Sequence, residues 1–114
     1  MHDRVVGQKN LILEDLDSAS FAEKINNDKN AVIIDVRTQM EYNEGHLADS
    51  LLIDISSPSF MDEIDKLDRS KSYYIYCRSG NRSWHAGNYM LKQGFRTVAH
   101  LGPGIIGWRG NIEK

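Results

Sequence analysis

A single cysteine stands among the 114 residues. An internal disulfide, a CxxC redox pair and any cysteine-built zinc cluster are therefore excluded. What is left is a lone thiol, either core filler or a nucleophile. Prolines number only two, and no Pro/Gly-rich linker, repeat or low-complexity stretch divides the chain. Excess positive charge is also missing. Fourteen Lys+Arg against sixteen Asp+Glu leave a net charge of -2, which argues against nucleic-acid binding through bulk charge. Apolar runs such as Ala31–Ile34 are far too short to cross a bilayer. Met1–Asn10 carries His2, Asp3, Arg4 and Lys9 with no apolar centre, so it does not read as a signal peptide. A cytoplasmic, reducing setting is expected, with neither nucleic acid nor membrane as partner. His2, His46, His85 and His100 show no HxxxH-type spacing, so no metal is expected.

With 40% hydrophobic and 26% charged residues, the remaining composition is that of one ordinary globular domain. The pattern predicts a loose segment over 1–9 and a single domain over 10–114. Asn10–Leu13 is a short strand candidate. Asp17 is a plausible helix N-cap, with Leu16 placed to pack on Phe21 and the helix closing at Asn26-Asn27-Asp28. Ala31–Val36 is a continuous β-branched run, the mark of a strand covered on both faces. A polar helix over Thr38–Glu44 stops at Gly45, and Leu51–Ile53 reads as a second buried strand. Phe60, Ile64 and Leu67 share one face of a short helix. Tyr73–Tyr76 is a core strand, Ser83–Gln93 a helix stopped by Gly94, and Val98–Leu101 a last strand. Gly102–Trp108 reads as a turn into a short tail helix. Strands alternating with helices imply an α/β fold, a parallel sheet with helices on both faces.

The chemistry concentrates in Tyr76-Cys77-Arg78-Ser79-Gly80-Asn81-Arg82-Ser83, between the end of a buried strand and the start of a helix. In open α/β sheets this is where ligands bind. A tight loop there turns successive backbone N–H groups inward as an anion nest, and the helix dipole adds positive potential. Gly80 supplies the backbone freedom such curvature needs. Arg78 and Arg82 add cations, and a thiol so placed is expected to be acidic.

Cys77-Arg78-Ser79-Gly80-Asn81-Arg82-Ser83 closely resembles the active-site loop of single-domain rhodanese-like sulfurtransferases. Asp35-Val36-Arg37 with Glu41-Tyr42 and Gly45-His46-Leu47 resembles that family's first signature. Leu101, Gly104 and Trp108 resemble its C-terminal turn, so the likeness runs from about Leu13 to Trp108. Two departures lie outside the cysteine loop. Asp49-Ser50 stands where a small Gly-Ala pair is common, and Pro103 where Gly is usual. The resemblance implies a central, mostly parallel five-stranded sheet. It also implies sulfur transfer through a Cys77 persulfide cradled by the amides of Arg78, Ser79, Gly80, Asn81 and Arg82. The donor would be a small anion such as thiosulfate, and the acceptor cyanide, a thiol or a protein. No cofactor or metal is required. Cys77 to Arg82 spans Cys-x4-Arg, one residue shorter than the Cys-x5-Arg of cysteine phosphatases and related arsenate reductases, which makes that chemistry the lesser alternative. A rhodanese-fold sulfur carrier or recruitment module with little thiosulfate turnover is the other.

Asp35 and Arg37 are expected to tie down the loop after their strand, with a substrate role for Arg37 the lesser reading. His46 is not needed as a base where amides and arginines already favour a thiolate. Trp84 and His85 are placed to wall the pocket entrance. The Asp62, Glu63, Asp65 and Asp68 run reads as a solvated acidic face.

Overall fold

The computed structural model describes residues 12–114. The expected loose segment over 1–9 lies outside them. The elements run β1 (Glu14–Leu16), α1 (Ser18–Asn26), β2 (Ala31–Asp35), α2 (Gln39–Glu44), β3 (Leu51–Leu52), α3 (Phe60–Asp65), β4 (Ser72–Tyr76), α4 (Asn81–Lys92) and β5 (Thr97–Leu101). A 3₁₀ turn follows over Ile105–Gly107. Five strands form one sheet in the order β1-β5-β4-β2-β3, and every pairing is parallel. The expected α/β architecture is therefore present, with β4 at the centre of the sheet.

Alternation along β4 assigns its side chains to two cores. Tyr73, Ile75 and Cys77 face the cluster that holds Phe60 and Ile64 of α3 and Ala86, Met90 and Leu91 of α4. Tyr74 and Tyr76 face the opposite cluster, with Phe21 of α1 and Leu101 of β5. Period-two geometry thus fixes the cysteine on the α4 side. Burial in α4 falls on Ser83, Ala86, Gly87, Met90 and Leu91, the spacing of one helix face. In α1 the Asp17 carboxylate accepts from the Ser20 amide at 2.8 Å, the expected cap.

Three expectations are corrected. The first strand is Glu14–Leu16 rather than Asn10–Leu13; Asn10 and Leu11 lie outside the described residues, and Ile12 and Leu13 are not in a strand. Pairing Glu14, Asp15 and Leu16 with Ala99, His100 and Leu101 fixes this strand, and no apolar pattern announces it. Leu51–Ile53 is not a buried strand but a two-residue edge strand, with Leu51 45% exposed and Ile53 buried beyond its end. The apolar signal there marks packing after the strand. No tail helix follows Gly102–Trp108; a 3₁₀ turn over Ile105–Gly107 lies within that segment instead. Asp49, finally, shows why a Gly-Ala pair is replaceable. It holds φ +63, the only non-glycine residue with positive φ among the described residues, and Asp tolerates that region. Ser50 beside it donates to the Leu47 carbonyl at 2.7 Å.

Candidate active site

The loop 77–82 leaves the central strand and opens α4. Gly80, the N-cap of α4, has φ +100, and a Cβ there would run into the Gly102 carbonyl oxygen. Gly80 brings no side chain to cap the helix, so the first amides of α4 need another acceptor. The Cys77 sulfur supplies it. Sγ accepts from the Gly80 amide at 3.1 Å and from the Ser83 amide at 3.3 Å, and Ser83 Oγ lies 3.5 Å away. Ser83 is the third residue of α4, the position whose N–H an N-cap side chain ordinarily binds. The sulfur therefore occupies the place of a capping oxygen.

This geometry sets the thiol's acidity. Burial works against the charged form, since Cys77 is 1% exposed. The Ser83 hydroxyl and the amides of Ser83, Gly80 and Ser79 outweigh it and hold the thiol below its ordinary value. These are hydrogen bonds to the ionised form, reinforced by the positive end of the α4 dipole.

A second turn braces the loop from outside. After β5, Ile105 N donates to the Cys77 carbonyl at 2.9 Å and Ile106 N to the Arg78 carbonyl at 3.3 Å. Gly104 permits that contact. It has φ +72, and a Cβ there would collide with the Arg78 carbonyl. The segment carrying Leu101, Gly104 and Trp108 is thus a buttress for the cysteine loop.

The two loop arginines differ. Arg82 is paired bidentately with Glu41 of α2, at 2.8 and 2.9 Å. Glu41 also accepts from the Thr38 amide, closing the capping box of α2. The pair holds the Glu41 carboxyl down at about 2 and raises the Arg82 guanidinium, to which the nearby Cys77 charge also contributes. Arg82 is therefore not a free cation of the loop, as a matched arginine pair would require, but a strut to α2 that keeps its charge near the sulfur. Arg78 is exposed and makes no side-chain hydrogen bond or ion pair with the described residues. Ser79 and Asn81 are exposed at the loop surface, and Gly80 is buried.

Asp35 and Arg37 are buried against each other, 0% and 5% exposed. Arg37 Nε and NH2 donate to the Asp35 carboxylate at 2.8–3.1 Å, and NH2 also reaches the Gly45 carbonyl at 2.7 Å. Tyr76 donates to Asp35 at 2.7 Å, its phenol pushed well above the usual range by burial and by that carboxylate. Burial opposes the Arg37 charge, but Asp35 more than compensates and the guanidinium titrates above its ordinary value. These bonds occupy Nε and Nη2 with Asp35 and the Gly45 carbonyl and tie the turn after β2 to its strand. His46 stacks on Tyr42 at 3.7 Å and bonds the Tyr42 carbonyl, apart from the sulfur's hydrogen bonds. Trp84 and His85 line a cleft with Asp15, Ser79, Gly80 and His100. Of the acidic run, Asp65 is engaged by Arg69 and Tyr89. Sequence reasoning missed His100. It is 3% exposed and bonds Ser83 Oγ through Nδ1 at 2.8 Å.

The rhodanese-like domain family matches residues 18–111. The chain belongs to that family. A protein named sulfurtransferase from Allochromatium vinosum is 34% identical over 98 residues, covering 85% of this chain and 89% of its own length. A tRNA uridine(34) hydroxylase of Buchnera aphidicola is 35% identical over 82% of this rhodanese-like chain, but that match takes up only 31% of the hydroxylase. Among solved structures, a rhodanese-related protein from Thermoplasma volcanium superposes with a TM-score of 0.75 at 29% identity, covering 88% of this chain and 97% of that one. Among the described residues no group of three or more His, Cys, Asp or Glu could hold a metal, and no helix is long and apolar enough to cross a membrane.

Proposed function

We propose that this chain is a sulfurtransferase that carries sulfane sulfur on Cys77. The Cys77 thiolate attacks the outer sulfur of a small anionic donor such as thiosulfate. The Sγ–S bond forms as the donor's S–S bond breaks, and sulfite leaves with its electron pair. The acceptor (cyanide in an assay, a thiol or protein cysteine in a cell) then attacks the outer sulfur and returns Cys77 to the thiolate. One transfer becomes two easier displacements. The observation that carries this reading is the sulfur seated on the open amino end of α4, receiving the Gly80 and Ser83 amides. Loop amides that reach Sγ are also placed to receive a persulfide anion, and Arg78, next to Cys77 in the chain, is an exposed cation for an anionic donor. Arg37 and Asp35 hold the scaffold, and Arg82 fixes the loop to α2 through Glu41. The domain boundary we adopt is 10–114.

Sulfurtransferase is the name borne by the relative aligned over nearly its whole length, which favours this activity over that of the hydroxylases. The Cys-x4-Arg spacing disfavours phosphoryl transfer. Intact mass after thiosulfate treatment tests the proposal. Wild type is expected to gain one sulfur atom and Cys77→Ser none; a gain in the variant overturns it. Steady-state thiosulfate:cyanide turnover with ordinary saturation separates the enzyme from a carrier that loads from a desulfurase but hardly turns over.

A further inference from the structure

The sulfur's hydrogen bonds continue inward to a histidine for which the transfer chemistry gives no role. Ser83 Oγ, 3.5 Å from Cys77 Sγ, lies 2.8 Å from His100 Nδ1. His100 Nε2 is buried with no hydrogen-bond partner among the described residues and lies 3.8 Å from Asp15 Oδ1. Asp15 and His100 are direct register partners between β1 and β5, so the sheet itself sets their approach. Four elements thus converge on one line: Asp15 from β1, His100 from β5, Ser83 from α4 and Cys77 from the end of β4. A buried imidazole nitrogen without a partner is costly enough to call for an explanation.

We propose that His100 is a positioning residue that takes up the Cys77 thiol proton through the Ser83 hydroxyl, so that sulfur and imidazole ionise as a pair facing Asp15. The proposal rests on Cys77 being the nucleophile. In the thiol state Sγ–H donates to Ser83 Oγ, Ser83 donates to Nδ1, and Nε2 carries its proton toward Asp15. In the ionised state the Sγ–H bond breaks and that proton passes to Ser83 Oγ, while the Ser83 proton passes to Nδ1. Ser83 then donates to the thiolate, and the imidazolium lies between Ser83 and the Asp15 carboxylate. Only protons move, and no further reactant is consumed.

The surroundings set the cost of that transfer. Among the described residues, Asp15 on β1, Ser83 and His85 on α4, and Cys77 after β4 are titratable or hydroxyl-bearing groups near His100, and Asp15 is the charged one acting on it. Burial lowers the pKa of His100 below the ordinary histidine value, so the ring rests neutral at neutral pH, and Asp15 is the group that offsets the cost of charging it. The cleft lined by Asp15, Trp84, His85 and His100 gives the chain an outlet.

The test follows the iodoacetamide alkylation rate against pH, together with the ring ¹⁵N shifts of His100, and needs no sulfur donor. His100→Asn is expected to raise the Cys77 inflection by about one pH unit, a tenfold change in the ionisation equilibrium. It is expected to have no further effect in a Ser83→Ala background, which a merely structural histidine would not satisfy. Asp15→Asn, at a side chain 72% exposed, keeps the test open should His100→Asn fail to fold, and is expected to raise the inflection by a smaller amount. His100 ring shifts in wild type are expected to change with thiolate formation, and to lose that step in Cys77→Ser. An inflection unmoved in both His100→Asn and Asp15→Asn overturns the proposal, as does an equal shift with and without the Ser83 hydroxyl. Failure to load sulfur from thiosulfate would sink the transfer reading while leaving these titrations intact, so the two outcomes are distinguishable.

Discussion

Two neighbouring strands leave the sheet side by side and end in opposite ways. Asp35 of β2 is the register partner of Tyr76 of β4, so Arg37 and Arg78 stand at matching positions two residues further on. After β2 the turn is built from side chains. Arg37 is folded back on Asp35 and the Gly45 carbonyl, and Tyr76 closes the same carboxylate from the adjacent strand. After β4 the loop is built from backbone. Amides point at the sulfur, glycines allow the close approaches, and Arg78 extends into solvent with no partner among the described residues. A guanidinium neutralised by a buried carboxylate is a brace, whereas one without a counter-ion is available to a ligand. The same residue type, in register, thus has different work according to whether an acid precedes it by two.

Breaking the brace is expected to have the largest effect on stability. Asp35→Ala leaves a buried Arg37 charge and the Tyr76 hydroxyl without their acceptor, and a loss of about 3–5 kcal/mol is expected in chemical denaturation. Gly104→Ala strikes the backbone-built side. A side chain at φ +72 aimed at the Arg78 carbonyl is expected to cost roughly 1–3 kcal/mol. Because it displaces the loop, it is also expected to slow Cys77 alkylation, where Asp35→Ala acts mainly on unfolding.

The comparison sharpens with Arg78→Ala. Removing one charge-assisted contact worth ~1.5–3 kcal/mol predicts a ten- to hundredfold loss in kcat/KM for thiosulfate and less for a neutral sulfur donor. Stability is expected to stay within about 0.5 kcal/mol, as for an exposed position. Smaller than that loss of activity is the effect of Glu41→Gln, which loosens the partly exposed strut to Arg82 and is expected to cost roughly 1 kcal/mol of stability after screening. Its pH signature is distinctive. Glu41 titrates at about 2 when folded, below its ordinary 4.5, so its contribution is complete above 4.5 and lost as pH falls through 2. A pH–stability curve of the variant is expected to be flatter over that window than that of wild type.

Much of this arrangement was legible in the sequence where the local pattern and the tertiary result agree. The β-branched run of β2 and the Asp17 cap are local signals that packing preserves, and the cysteine loop was readable from its residue types and spacing. What escaped depends on contacts between distant residues. Glu14–Leu16 is a strand only because β5 lies beside it, and of Leu51–Ile53 the first two residues pair at the sheet edge while only Ile53, beyond them, is buried. Glu41 and Arg82 each stood out, but 41 residues separate them and nothing local announces their pairing. His100 stands just ahead of the Leu101–Trp108 turn motif but forms no part of it, and only folding brings it against Ser83.

The seat of the sulfur ties chemistry to mechanics. One atom is at once the proposed reacting centre and the end-piece of α4, so the folded chain favours the thiolate and the thiolate in return favours the folded chain. The increment is complete above the thiol's ordinary value and fades as pH falls through its lowered one. Blocking the sulfur leaves the Gly80 and Ser83 amides without their acceptor. The occupancy of Cys77 is thereby written into the firmness of α4, and a melting curve can read what the sulfur is carrying.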